Sequence, residues 1–373
     1  MVSEDMINRC KYKMIELIGK GGYGMVYSAV NKETKEKVAI KKISNPSNNK
    51  SRLMSALREI RLLRHLDHDN IIPLKDVMIQ TTTVVDDMDI QSSFMDVHLV
   101  YQLMNTDLAS VIRSSSIQLT DDRCKSLLVQ LLQGVEYLHS LNILHRDIKP
   151  GNVLVDSNFN LKICDFGMSR VVANEEFMKV CVEPVGSRGY KAPELLFGCT
   201  KYGTAVDVWS VGVVFAELLS RKQLFPRAKN FIDDIKNMMH LFGNPGESDI
   251  EFIEDERIMD VVRSHDFGFG FHFPYLFPIA NPLAVDLLRK MLTFNPSKRI
   301  TVAEALEHPY IRHLSERNCI IYSSPSPVEH PEDLDVGNYD DEGVEKIKDL
   351  IWKEMLHYHP EGAAAAADAL CTD

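Results

Sequence analysis

The sequence has no uninterrupted apolar run of about 18 residues, the length that a membrane-spanning helix requires. None of its seven cysteines forms a C-x-x-C pair, so neither a zinc site nor a disulfide framework is indicated. The start, Met1 to Arg9, lacks the apolar core of a secretory signal. We therefore predict a protein of the cytoplasm and nucleus with no membrane association.

Positive charge is also scarce, with 42 basic residues against 53 acidic ones and a formal net charge of -11. This balance argues against a nucleic-acid partner. The 373 residues, of which 45% are hydrophobic, exceed what one ordinary core holds. We expect two lobes and a tail.

Apolar periodicity predicts the main elements. Short apolar runs broken by glycines predict β-hairpins from Tyr12 to Lys42, and helical spacing marks Ser51 to Leu66 and Thr120 to Leu141. Two more strands are expected between Val77 and Met104, separated by a polar loop from about Thr81 to Asp96.

The tail has three parts. Composition predicts an extended segment from Ser323 to Asp341, an amphipathic helix from Glu342 to His357, and a disordered end at Ala363 to Ala367.

A glycine-rich stretch near the start reads Gly19-Lys20-Gly21-Gly22-Tyr23-Gly24-Met25-Val26. Glycines at this spacing let the backbone approach phosphates closely. Taken alone, the pattern equally suits a plain hairpin turn.

Lys41 lies inside a predicted strand, Lys37 to Lys42, after the apolar residues Val38, Ala39 and Ile40. A lysine there needs a partner because an unpaired buried charge is costly, and Glu59 on the following helix is the candidate. Such an ion pair would aim the ammonium at the α- and β-phosphates of a nucleotide. The alternative is a surface lysine whose stem lies along the strand.

Two loop motifs follow in chain order, His145-Arg146-Asp147-Ile148-Lys149-Pro150-Gly151-Asn152 and Asp165-Phe166-Gly167. Asp147 is placed to accept the proton of an attacking hydroxyl, and Lys149 to neutralise a migrating phosphoryl group. Asn152 and Asp165 offer oxygen ligands for Mg²⁺. Each acid alone could instead belong to an Asx-turn, but the ordered set favours phosphoryl transfer.

Three further motifs, Ala192-Pro193-Glu194, Asp207-Val208-Trp209-Ser210 and Arg299, complete a set that resembles the eukaryotic protein kinases. The resemblance implies an α+β, bilobal fold with an antiparallel β N-lobe carrying one helix and a mainly α-helical C-lobe. It also implies ATP and Mg²⁺ as cofactors and a buried, structural ion pair between Glu194 and Arg299. Lys149-Pro150 resembles the catalytic loop of Ser/Thr kinases.

Four segments narrow the resemblance to mitogen-activated protein kinases: Leu57 to Leu63, Tyr101 to Leu108, Ser210 to Phe225 and Leu292 to Tyr310. Residues 226–280 then fill the place of that family's helical insert. We expect an N-terminal extension at 1–11, a kinase domain at 12–312 divided after residue 104, and a C-terminal extension at 313–373. A cyclin-dependent kinase and a kinase-shaped scaffold without useful catalysis remain alternatives.

The resemblance assigns residue roles. Lys41, Glu59, Asp147, Lys149 and Ser187 would be catalytic. Tyr101 would be the gatekeeper, and Asp107 would approach the ribose. Contacts to ATP would come from Ile18, Gly19, Lys20, Gly21, Gly22, Tyr23, Gly24, Met25, Val26, Ala39, Lys41, Tyr101, Gln102, Met104, Asp107, Asn152, Leu154 and Asp165.

The activation segment departs from the family because Asp165 to Glu194 contains no threonine, and so no Thr-x-Tyr switch. The arginines that would grip a phosphothreonine, Arg58, Arg146 and Arg170, are nevertheless present. Glu183 could supply the missing anion, or it could simply be solvated.

Other departures concern substrates. Ser187 stands where the family has threonine, and its hydroxyl could bridge Asp147 and Lys149. Gly189 and Lys191 replace a tryptophan and an arginine, which puts proline-directed specificity in doubt. The expected partners are protein substrates with Ser/Thr acceptors and an upstream kinase or scaffold, and the chain is expected to be a monomer.

Overall fold

We describe the protein from a computed structural model, which describes residues 11–21, 24–44, 49–85, 91–172, 186–225, 231–270, 273–317 and 343–359. The chain divides into two compact units. Unit 1 comprises Met1–Asp67, Ile72–Met104 and Glu332–Asp373, and unit 2 comprises His68–Ile71 and Asn105–Pro331. The antiparallel sheet of the first unit and the helices of the second form the bilobal kinase fold that the motifs predicted.

Unit 1 contains a five-stranded antiparallel sheet in the order β1-β2-β3-β5-β4. The strands are β1 (Tyr12–Gly21), β2 (Gly24–Asn31), β3 (Lys37–Ile43), β4 (Leu74–Val85) and β5 (Gln91–Gln102). Alternation along β3 buries Val38 and Ile40 in the core with Ala29, Met78 and Val100. It therefore turns Ala39 and Lys41 to the opposite face of the sheet.

The polar loop expected from Thr81 to Asp96 is wrong. β4 continues to Val85 and β5 begins at Gln91, with Thr81 paired to Met95 and Thr83 to Ser93. The run Thr81-Thr82-Thr83-Val84-Val85 is β-branched throughout, which favours a strand although three of its five side chains are polar.

Helix α1 (Lys50–His65) completes this unit together with the C-terminal helix, which is numbered α13 below. Asn49 caps α1 by accepting the amide hydrogen of Arg52. Leu53, Leu57 and Ile60 recur at helical spacing and are buried, as the sequence pattern predicted.

Unit 2 is mainly helical and carries two small sheets, β6-β8-β9 and β10-β7. Its strands are β6 (Thr106–Asp107), β7 (Ile143–Leu144), β8 (Val153–Val155), β9 (Leu161–Ile163) and β10 (Arg170–Val171). Its helices are α2 (Leu108–Arg113), α3 (Asp121–Ser140), α4 (Pro193–Leu196), α5 (Ala205–Ser220), α6 (Phe231–Phe242), α7 (Glu247–Ile250), α8 (Glu256–Ser264), α9 (Phe273–Leu276), α10 (Pro282–Met291), α11 (Val302–Leu306) and α12 (Arg312–Arg317). No helix in the part of the chain that the structure describes is long and apolar enough to cross a membrane.

The C-terminal helix, α13 (Val344–Tyr358), packs on α1 and β4 in unit 1. Ile347 and Ile351 on its inner face are fully buried. Glu354 accepts one hydrogen bond from Arg61 Nε at 2.9 Å and another from Arg64 Nη1 at 2.7 Å. The predicted tail helix is thus present, and it is fastened to the helix that carries Glu59. The predicted segments at 323–341 and 363–367 lie outside the described residues.

A buried carboxylate, Asp76, holds the end of this tail. It accepts hydrogen bonds from Lys11 Nζ at 2.7 Å and Tyr12 Oη at 2.9 Å, and His359 Nε2 lies 2.8 Å from its other oxygen. The hydrogen bond with Asp76 raises the pKa of His359. Burial alone would raise the pKa of Asp76, but hydrogen bonds from His359 and Lys11 hold it below its usual range. Burial, followed by the nearby Asp76 charge, raises the pKa of Tyr12, which therefore stays a neutral donor.

The stabilisation from His359 should fade as pH rises. A raised pKa in the folded state gives stability that is complete below the unfolded value of about 6.5 and lost as pH passes the folded value. His359→Gln should therefore cost about 1–2 kcal/mol near pH 6 and clearly less near pH 9. Thermal unfolding across this range measures it, with the exposed His357→Gln as control. An equal cost at both pH values would show that the His359 charge does not matter.

Candidate active site

In unit 1, the centre of the predicted site is the Lys41–Glu59 pair. Lys41 Nζ lies 2.7 Å from Glu59 Oε2, and the two side chains are 13% and 2% exposed. The other carboxylate oxygen of Glu59 accepts a hydrogen bond from Tyr101 Oη at 2.6 Å. Glu59 is therefore held by two donors from two neighbouring strands, which fixes where it holds the lysine ammonium.

Tyr101 was expected only as the gatekeeper, and its hydrogen bond to Glu59 was missed. No sequence signal joins the two, since they are 42 residues apart and meet only because β5 lies beside β3 and faces α1. The bond gives Tyr101 a second task, which is to orient the partner of Lys41.

The glycine-rich stretch forms the hairpin between β1 and β2, with Gly19 paired to Val26 and Lys20 to Met25. Gly22 and Tyr23 lie outside the described residues. A Cβ at Gly24, where φ is +156°, would overlap the carbonyl oxygen of Lys42, so the fold itself requires this glycine. Among the described residues, no atom lies within 4 Å of a Cβ built at Gly21. The packing of the described residues therefore does not require this glycine, and its expected contact with a phosphate stays a prediction.

In unit 1, the side chains that were predicted to contact adenine are partly exposed to solvent. Ile18 is 48% exposed, and Val26 and Ala39 are half-buried. Gln102 ends β5, and the buried Met104 follows it. These side chains are the apolar surface that this unit offers to a flat heteroaromatic ring.

In unit 2, Asp107 and Leu154 pair between β6 and β8. Asp107 Oδ1 accepts the amide hydrogen of Ser110 at 2.6 Å and so caps α2. This capping role was missed, although an aspartate directly before a helical segment is a common cap. The expected contact of Asp107 with a ribose stays a prediction.

Asp147 is buried and held by three donors. Oδ1 accepts a hydrogen bond from the amide of Ser187 at 2.8 Å. Oδ2 accepts one from Lys149 Nζ at 2.7 Å and another from Asn152 Nδ2 at 2.9 Å. Lys149 Nζ also donates to Ser187 Oγ at 2.7 Å. The expectation that the Ser187 hydroxyl bridges Asp147 and Lys149 is wrong in one respect, because the main-chain amide of Ser187 makes the bond to Asp147.

Buried Asp207 anchors the loop before Asp147. It accepts the amide hydrogens of His145 at 2.9 Å and Arg146 at 2.8 Å, and Arg146 takes a left-handed backbone conformation with φ of +64°. Burial would raise the pKa of Asp207, but its hydrogen bond with His139 and those from the amides keep it low. The anion therefore stabilises a backbone bend that non-glycine residues rarely adopt.

The oxygen ligands expected for Mg²⁺ come together through the main chain. Asn152 O accepts the amide hydrogen of Cys164 at 2.9 Å, and Asp165 is the next residue. Asn152 donates both hydrogens of Nδ2 to Asp147, one to the main-chain oxygen and one to Oδ2, so its side-chain oxygen is the atom that could serve as a metal ligand. No group of three acidic, His or Cys side chains suited to a metal occurs among the described residues. Two oxygen ligands completed by phosphates and water are typical for Mg²⁺, so the donor set fits.

Comparisons with known proteins agree with this geometry. Residues 12–311 match the family described as "Protein kinase domain". The chain is 48% identical over 358 residues to mitogen-activated protein kinase 7 of Arabidopsis thaliana, covering 96% of this chain and 92% of that protein. It is also 48% identical over 361 residues to the mitogen-activated protein kinase homolog NTF3 of Nicotiana tabacum, with 96% and 92% covered. The chain belongs to the mitogen-activated protein kinase family.

As a member of this family, the chain has an activation segment that the structure describes only in part. Glu183 lies outside the described residues, so its role as a built-in anion stays a prediction. Arg146 donates to Met168 O at 2.7 Å and to Tyr202 Oη at 2.8 Å. Burial lowers the pKa of Arg146, and the nearby charge of Arg170 lowers it further. The positive charges of Arg146 and Arg170, both in the proposed anion pocket, therefore repel each other. A bound anion would relieve this repulsion.

The third arginine of that pocket, Arg58, lies half-buried on α1 in unit 1. Another family feature, the pair of Glu194 and Arg299, lies fully buried in unit 2 with 2.7 Å between Oε1 and Nη1. In the part that the structure describes, the chain thus keeps this structural ion pair, and the departures expected in its activation segment stay a prediction.

Proposed function

We propose that this chain uses Asp147 as the base that receives the proton of a serine or threonine hydroxyl while the γ-phosphoryl group of ATP is transferred to that oxygen. The chain is a Ser/Thr protein kinase of the mitogen-activated type, and protein kinases in general use ATP and Mg²⁺. The observation that carries the assignment of Asp147 is its three-donor setting beside Asn152 and Lys149.

The number of hydrogen bonds that each carboxylate oxygen of Asp147 already accepts indicates which oxygen receives the proton. Oδ2 already accepts two hydrogen bonds, from Lys149 and Asn152, whereas Oδ1 accepts one. A carboxylate oxygen has two lone pairs, so Oδ1 is the atom that can take a hydroxyl hydrogen. Lys149, held between Asp147 and Ser187, places a positive charge where negative charge develops.

Bound Mg-ATP would supply the phosphoryl group and most of the charge neutralisation. Asn152 and Asp165 would hold the cation, and Lys41, oriented by Glu59 and Tyr101, would hold the phosphates. Neither the comparisons nor the site geometry supports the scaffold alternative, because every catalytic residue type is present. The relatives reported above are mitogen-activated protein kinases by name, which favours that family over the cyclin-dependent one.

Asp147→Asn tests the assignment. We expect about a 10²- to 10⁴-fold loss of kcat on a generic basic protein substrate with Mg-ATP, because the amide cannot accept the proton. Asp122→Asn, whose parent side chain is 95% exposed, is the matched control and should retain wild-type activity. Comparable kcat for Asp147→Asn and wild type, with both folded by circular dichroism, would refute the role of Asp147.

A further inference from the structure

A small pocket lies directly after Ser187 in unit 2. Phe225, Leu196 and Met238, all buried, form its apolar wall. Gly189, with φ of +85°, leaves its floor without a side chain, since a Cβ there would meet only Phe225 and at no less than 3.8 Å. Gly189 therefore occupies none of this space with a side chain of its own.

The polar lining of this pocket is mainly positive. Arg188 Nε lies 3.7 Å from Asp234 Oδ2, and the two side chains are 57% and 13% exposed. Lys191 lies on the same lining, with its aliphatic stem beside Gly186. Arg188 and Lys191 contribute two positive charges against one negative charge from Asp234, so the lining has a surplus of one.

Lys191 is the half-buried cation of this lining. No hydrogen bond or ion pair joins its ammonium to any residue in the described part of the chain, although the side chain is half-buried. Burial lowers the pKa of Lys191 and the charge of Arg188 lowers it further, while the charges of Asp234 and Asp147 offset part of this effect. A carboxylate entering the pocket would relieve both the lost hydration and the repulsion.

The pocket is close enough to the catalytic loop to contact substrate. Ser187 donates its amide hydrogen to Asp147, and the pocket residues begin at the next position. Neighbouring residues of an extended peptide are spaced by about 3.3 Å, which corresponds to the one-residue step from Ser187 to the first residue of the pocket. We propose that this pocket selects an acidic side chain next to the serine or threonine that is phosphorylated. The proposal rests on the proposed function and adds a substrate class to it.

Proline has no charge to offer Lys191 and Arg188, and a basic side chain would meet their repulsion. Asp234 could attract a basic residue, but the nearby Arg188 already offsets its charge. Asp234 also competes with any incoming carboxylate. Its removal should therefore strengthen acidic selection.

Five serine peptides of equal length test the proposal: four have Asp, Ala, Pro or Lys after the serine, and the fifth has Asp before it. We expect one of the two Asp peptides to exceed the Ala peptide about three- to tenfold in kcat/KM, through KM and with loss at high salt. Lys191→Met should abolish the difference between the Asp and Ala peptides. Lys191→Arg should keep it, and Asp234→Asn should increase it. Lys201→Met, an exposed lysine outside the pocket, is the control.

Equal rates for the Asp and Ala peptides, a preference for Pro, or a preference for Lys that Asp234→Asn removes would each overturn the proposal. Fluorescence anisotropy of the same labelled peptides without ATP measures the Asp-to-Ala ratio independently of turnover. If no peptide and no generic protein is phosphorylated, the proposed function fails. The binding ratio, and its loss in Lys191→Met, still decides the acidic selection.

Discussion

Replacing Lys41 with methionine should lower kcat/KM for phosphoryl transfer about a thousandfold or more, equivalent to about 4 kcal/mol of transition-state stabilisation. Lys41 Nζ lies 2.7 Å from Glu59, whose second oxygen is fixed by Tyr101. Methionine keeps the length of the stem on β3 but cannot hold a phosphate. The loss of kcat/KM should therefore come from impaired ATP positioning and not from a change in the packing of the sheet.

Lys42→Met is the matched control for this prediction. Lys42 is the next residue on β3, faces the other side of the strand and pairs with Asp96 at 2.9 Å. We expect wild-type kcat/KM and a similar melting temperature for this variant. Binding of a fluorescent ATP analogue separates a binding defect from a chemical one. If Lys41→Met and Lys42→Met have equal activity, Lys41 has no part in catalysis.

Lys41→Met leaves Glu59 with one hydrogen-bond donor, which should lower the stability of the folded protein. Glu59 is 2% exposed, and a buried carboxylate that loses a charged donor loses about 1–3 kcal/mol of stabilisation. Lys41→Met should thus melt slightly below wild type. Tyr101→Phe, which removes the other donor, should show a similar cost in stability but a much smaller loss of activity, since the ammonium remains.

The grouping of the candidate catalytic residues could be predicted because each lies in a multi-residue motif, and the motifs follow one another in a fixed order. Asp147 and Asn152 are five residues apart, so the loop alone brings them together. The pairing of Lys41 with Glu59 needed one further argument, that a lysine in an apolar strand requires an acid. The expected helices at 51–66 and 342–357 follow from apolar spacing alone, and the structure has them within two residues.

The contacts that escaped prediction depend on which segments become neighbours. His359 reaches Val77 across 282 positions, and Arg61 reaches Glu354 across 293. Neither contact is indicated by a local sequence pattern, because a single histidine or glutamate near a chain end is common in proteins. The strand at Thr81 was not predicted for a different reason. Its polar side chains suggested a loop, whereas their β-branching favours the strand that the structure contains.

Loss of the buried arginine Arg299 should give the largest effect on stability. Its guanidinium uses all five of its N–H groups, two on Glu194 and one each on the carbonyl oxygens of Thr293, Ala205 and Phe294. Arg299→Met would leave a carboxylate that is 1% exposed without its charged partner. Breaking a buried pair in this way costs about 3–5 kcal/mol.

In calorimetry, the melting temperature of Arg299→Met should be about 4–6 °C below that of the wild-type protein. Arg289→Met, which removes an exposed arginine from α10, is the control and should change it little. Arg299→Lys should rescue only part of the loss, since an ammonium has three donors and no planar fork to match Glu194 and the three carbonyls. The double variant Glu194→Gln with Arg299→Met should be more stable than Arg299→Met alone, because it removes the unpaired charge. An Arg299→Met protein that melts within about 1 °C of wild type would show that water or another cation reaches Glu194, and that the pair is not needed to hold α4 against α5.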